Sequence, residues 1–75
     1  MKNYVIIGHL WLRAIEFVNE ERADAYITKN CNPETECGKY TQEEFYTEFQ
    51  EFYLESHEYG VNEYGALRLI IIREP

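Results

Sequence analysis

Glu44, Glu48, Glu51, Glu55 and Glu58 recur at alternating spacings of four and three, and from Tyr40 to Leu67 the chain has no Lys or Arg. On a helix, at about 100° per residue, the five fall within an arc of roughly 80°. At about 1.5 Å of rise per residue they form a line roughly 21 Å long. Glu43 and Glu63 add to the same charge. Such a line attracts and steers a basic surface; it makes and breaks no bonds. It also carries a cost, because like charges at i, i+3 or i, i+4 oppose one another by about 0.2–0.5 kcal/mol per pair. Glu55 and Glu58 would lie near the negative end of the helix dipole, which is unfavourable as well. A helix selected for stability alone would mix in lysines. The competing account is a solvated face, since glutamate is a strong helix former and keeps a small protein soluble.

Bond-making chemistry finds little support. Any two glutamates could be paired for acid–base work, but a solvated row does not separate their pKa values as catalysis requires. Cys31 and Cys37 with His9 or His57 could be drawn as a zinc site. Their spacing, with five residues between, is wider than the usual two to four, so two free loop thiols are expected, without metal or cofactor. A Cys-x-x-Cys redox pair is missing. His57 reads as a helix-end histidine. There is no phosphate loop, no Gly-x-Ser-x-Gly and no His-Glu-x-x-His. The four arginines do not cluster, which argues against direct contact with nucleic acid. The expectation is a protein that is not an enzyme.

The elements that would hold these residues read as follows. Residues 3–7 are short and β-branched, a strand. Gly8-His9 could supply a two-residue type II′ turn. Residues 10–18 are ambiguous. As a helix they would gather Trp11, Ile15 and Val18; as a strand they place Trp11, Arg13, Ile15 and Phe17 on one face and Leu10, Leu12, Ala14, Glu16 and Val18 on the other. The aromatic and β-branched content favours strand. Asn19 looks like an N-cap, with Glu20 and Glu21 in the first turn of a helix over residues 20–29 that buries Ala23, Tyr26 and Ile27. Asn30 would close that helix in the left-handed conformation, and residues 30–40 read as loop. Thr41-Gln42-Glu43-Glu44 is a capping box that opens a second helix, expected to run to Tyr59 and stop at Gly60. Its buried face would be Phe45, Phe49, Phe52 and Tyr53. Residues 66–73 form a final strand, apolar on both faces and so suited to a central position. The predicted fold is α+β in the order ββααβ, a three-stranded antiparallel sheet with both helices on one face. The uncovered face, through Trp11 or the Ile70/Ile72 side, would be available for pairing with a second copy.

Seventy-five residues make one small domain, residues 1–75, and bury only about 60–65% of the unfolded surface. One Trp, seven Tyr and four Phe supplement that core. At 45% hydrophobic residues the chain is too apolar for a disordered tail, despite a formal charge of −7. That charge disfavours nucleic acid and anionic membrane as direct partners and favours basic protein surfaces. No secretory signal or spanning segment is legible, which predicts a cytoplasmic address and usually reduced cysteines, although Cys31 and Cys37 flank a loop short enough to form a disulfide where the compartment allows it.

In size, acidity and aromatic content the chain resembles the small DNA-mimic inhibitors of phages, namely anti-CRISPR proteins, anti-restriction proteins and uracil-DNA glycosylase inhibitors. The resemblance is one of composition over residues 41–64. It implies occlusion of a basic nucleic-acid-binding site on a partner protein, in the cytoplasm of a host cell. The glutamate repeat of about 4.5–6 Å is comparable with the roughly 3.4 Å axial step of phosphates along one strand of B-DNA. The partner-binding residues expected are Glu44, Glu48, Glu51, Glu55 and Glu58, with Tyr46, Tyr53 and Tyr59 as anchors. The rival expectation is a homodimeric structural or assembly protein whose acids only solubilise it.

Overall fold

The computed structural model describes residues 2–8, 12–32, 34 and 37–75. Five strands and two helices follow the chain: β1 Tyr4–Ile7, β2 Arg13–Phe17, α1 Glu20–Asn30, β3 Gly38–Thr41, α2 Gln42–Glu48, β4 Tyr53–Glu58 and β5 Ala66–Arg73. The class is α+β. The sheet has five strands in the order β3-β1-β2-β5-β4, every neighbouring pair antiparallel, where the sequence suggested three.

Residues 13–17 are strand, not helix, and strand alternation governs their burial. Ala14 and Glu16 turn to one face and Ile15 and Phe17 to the other. Ile7 pairs with Ala14, and the Gly8 N–H donates to the Arg13 carbonyl at 3.0 Å. A two-residue turn at Gly8-His9 would pair Ile7 with Leu10, so the register excludes it. His9, Leu10 and Trp11 lie outside the described residues.

α1 begins as its sequence predicts, with the Asn19 Oδ1 accepting from the Arg22 N–H at 2.9 Å and Ala23 fully buried. Asn30 is its last residue rather than a left-handed stop, and Cys31 caps it in an extended conformation. Residues 30–40 are not all loop, for β3 begins at Gly38. Within that connection Cys31 and Cys37 are joined by a disulfide. The pairing is the loop disulfide that the short separation of the two cysteines allows, in place of two free thiols.

The largest departure is in the second helix. The capping box forms in full, Thr41 accepting from the Glu44 N–H at 3.1 Å and Glu44 from the Thr41 N–H at 2.9 Å. The helix nevertheless stops at Glu48, and residues 53–58 are strand. β5 explains why. Its two apolar faces suit a central position, and a central strand needs a neighbour on each side. β2 supplies one and β4 the other, through Leu54↔Ile72, Ser56↔Ile70 and Glu58↔Arg68. Completing that ladder outweighs extending an exposed helix by three turns against its own charge repulsion.

The helices lie on opposite faces, not on one. α2 brings Phe45 and Phe49 onto Val5, Ile7, Ala14, Ile70 and Ile72. α1 brings Ala23, Tyr26 and Ile27 onto Ile6, Ile15, Phe17 and Ala66. Ile70 and Ile72, expected on an open face, are therefore buried. Phe45 stacks on Phe49 at 5.0 Å between ring centroids, and Tyr40 meets Phe49 edge-on at 6.2 Å. Phe52 and Tyr53, expected in the helix core, are exposed. No helix among the described residues is long and apolar enough to cross a membrane.

Candidate interaction surface

The five glutamates expected on one rod are distributed over three elements. Glu44 sits in the first turn of α2, its carboxylate engaged by the Thr41 N–H. That bond and the Thr41 hydroxyl hold its pKa below the usual glutamate value. Glu48 ends α2 and Glu51 lies in the turn that follows, both exposed. Glu55 and Glu58 belong to β4 and point to opposite faces of the sheet. Each of these two meets an arginine of β5, Glu55 to Arg73 at 3.2 Å and Glu58 to Arg68 at 3.8 Å. The continuous line of uncompensated charge is thus absent, and the phosphate-like repeat along a rod goes with it.

What remains acidic and open is the α2 end of the molecule. Glu43, Glu44, Glu48 and Glu51 are exposed, and among the described residues none has a cation at ion-pair distance. On α1, Lys39 bridges Glu20 at 3.1 Å and Asp24 at 2.9 Å, and Asp24, then Glu20, raise its pKa. The tyrosines are not gathered at one place either. Tyr46 packs edge-on against Phe45 at 5.3 Å, and burial, reinforced by the charge of Glu16, raises its pKa. Tyr53 is on β4, and Tyr59 follows that strand's end, its N–H donating to the Leu67 carbonyl at 2.8 Å. His57, read as a helix-end residue, is the penultimate residue of β4.

Two further features escaped the sequence. Glu16 is completely buried beside α2, where its carboxylate accepts from Asn3 Nδ2 at 3.0 Å and from Gln42 Nε2 at 3.5 Å. Arg68 Nε lies 3.7 Å from it, buried and without a hydrogen bond of its own. The signal was present in strand alternation, which put Glu16 on the Ala14 face before that face was known to be the core. The second is a cleft of about 450 Å³ between α1 and the β4–β5 connection, lined by Ile15, Tyr26, Lys29, Tyr59 and Tyr64. Lys29 Nζ stands 5.7 Å from the Tyr64 ring centroid, a cation–π distance that occupies the ammonium from within. Among the described residues no group of His, Cys, Asp and Glu could hold a metal ion. Comparison with protein-family models, with curated proteins and with solved structures finds no match to this chain.

Proposed function

We infer that the chain is a non-enzymatic protein-binding module that covers a basic site on a partner with the acidic end around α2. Glu43, Glu48 and Glu51 supply the charge, and Glu44 adds to it from its capping position. Phe52 and Tyr46, large apolar side chains exposed beside them, supply contact area. The observation that carries this reading is exposure without compensation. Four carboxylates face solvent here with no cation at ion-pair distance among the described residues and only Lys2 acting on Glu44, while Glu20 and Asp24 of α1 and Glu55 and Glu58 of β4 are paired.

Glu55, Glu58, Tyr53 and Tyr59 drop out of the surface, because they lie on the β4 edge and face different directions. A partner whose working site binds nucleic acid suits the charge, since a groove built for phosphate also attracts carboxylates. The proposal no longer invokes imitation of a phosphate ladder, which required the long helix. It invokes local charge and steered association.

The test is a charge reversal at the end of α2. Glu43→Lys, Glu48→Lys and Glu51→Lys together should leave the fold unchanged, because all three side chains are exposed and none pairs internally. Affinity capture from a lysate at low and high salt should retain a basic protein at low salt only, and the triple variant should retain none of it. Retention that ignores both salt and the reversal overturns the reading.

A further inference from the structure

The two ends of the sheet differ. At one end β3 is closed off, for the Thr41 N–H is taken by the Glu44 carboxylate and the chain turns directly into α2. At the other end β4 presents a full strand edge. The Tyr59 N–H donates to Leu67, and β4 keeps that register through Tyr53. In an antiparallel ladder the bonded positions alternate, so Tyr53, Glu55, His57 and Tyr59 turn their backbone polar groups toward β5. Leu54, Ser56 and Glu58 turn theirs outward, where no described residue meets them.

A charged edge strand is ordinarily a guard against unwanted pairing. This edge, however, is complementary to itself in one register. We propose that β4 pairs antiparallel with β4 of a second copy about a two-fold axis at Ser56, giving one continuous ten-stranded sheet. Ser56 then faces Ser56 of the second copy and Leu54 faces its Glu58, so every outward N–H and C=O from Leu54 to Glu58 is used. Between those bonded pairs, Glu55 lies opposite His57 of the second copy on both sides of the axis, at a typical Cβ separation of about 4.5–5.5 Å. Tyr53, 63% exposed, falls opposite Tyr59, 53% exposed. Moving the axis to residue 55 would set Glu55 against itself, and moving it to residue 57 would do the same to His57. Both are less favourable than the Glu–His pairing. The interface is a strand edge, small by the standards of permanent dimers, so the association is weak and concentration-dependent. It uses elements distinct from the acidic end of α2.

Sedimentation of the full chain over a concentration series tests this. The expected result is reversible monomer–dimer exchange, with amide hydrogens of Leu54, Ser56 and Glu58 gaining protection as concentration rises. His57→Glu opposes two glutamates at each symmetric position and should weaken the dimer about tenfold or more. Glu55→Lys should also weaken it, and the double variant Glu55→Lys/His57→Glu should regain most of the loss. Ser56→Pro removes an outward donor without touching the β5 ladder, so thermal unfolding should change little while dimerisation is lost. A chain that stays monomeric throughout, folded variants that dimerise as well as the parent, or a double variant that regains nothing would each overturn the proposal.

Discussion

Glu16 has no exposed surface, and a carboxylate so placed is tolerated only with donors around it. Asn3 and Gln42 donate to it from the approach to β1 and from α2, and Arg68 of β5 adds its charge at 3.7 Å. Because Arg68 is about one-third exposed and already lacks a hydrogen bond at Nε, the pair is imperfect. Removing the acid leaves the guanidinium without its buried partner. Glu16→Ala is expected to cost about 2–4 kcal/mol in urea unfolding, toward the lower part of the range for broken buried pairs, and Glu16→Gln less, since the amide keeps the volume. Glu44 gives a pH-dependent case. Its carboxyl is held below its ordinary value of 4.5 by the Thr41 N–H. A group whose folded pKa is depressed contributes stability that is complete above the unfolded value and fades as pH falls through the folded one. The cap should therefore loosen on acidification below about 4.5, which side-chain NMR titration of Glu44 would follow. Thr41→Ala should move that titration back toward the ordinary value and cost about 1 kcal/mol at neutral pH.

Among the elements, two glycines lie near the ends of the β4–β5 connection with positive φ, 68° at Gly60 and 75° at Gly65, and they are expected to differ sharply. A Cβ at Gly60 would meet nothing within 4 Å, whereas at Gly65 it would lie 2.8 Å from Arg22 Cγ and 3.1 Å from Val18 Cγ2. Gly60→Ala should cost about 1 kcal/mol for the left-handed backbone alone. Gly65→Ala should cost about 2–3 kcal/mol, since α1 and the Val18 segment must also give way. Thermal unfolding of the two variants side by side reads the difference. The helix starts were legible because caps are local: Asn19 and Thr41 each act on the residue three positions ahead. The end of α2 was not local. Phe45, Phe49, Phe52 and Tyr53 satisfy a helical period, and nothing between Glu48 and Tyr53 forbids its continuation. The stop is imposed by β5, whose apolar faces indicated a central strand in the sequence while its second neighbour went unassigned. β3 was hidden differently, as four residues without aliphatic alternation, recruited by the edge of β1. The single acidic line went with the helix, because five glutamates face one way only if one helix carries all of them.

Across the whole molecule, the charge of −7 is unevenly compensated, and that sets opposite expectations for folding and for binding. Glu20 and Asp24 of α1 and both acids of β4 are paired internally, so salt has little repulsion to relieve there and some attraction to screen. At the α2 end, Glu43, Glu44, Glu48 and Glu51 outnumber Lys2, the one cation felt there among the described residues, and salt screens a net repulsion. Raising the ionic strength should therefore stabilise the free chain. Glu48→Lys at low salt should do so as well, by a few tenths of a kcal/mol, or roughly 1–3 °C in Tm for a domain of this size. Both changes should weaken association with a basic partner, since the same uncompensated charge steers it. A surface that merely keeps the chain soluble would show the gain in Tm with no loss of any interaction. A docking surface shows the two together. Thermal unfolding and partner titration across one salt series, on the parent and on Glu48→Lys, separate these outcomes: if Tm falls with added salt, the α2 end is not self-repelling and the charge there has another explanation.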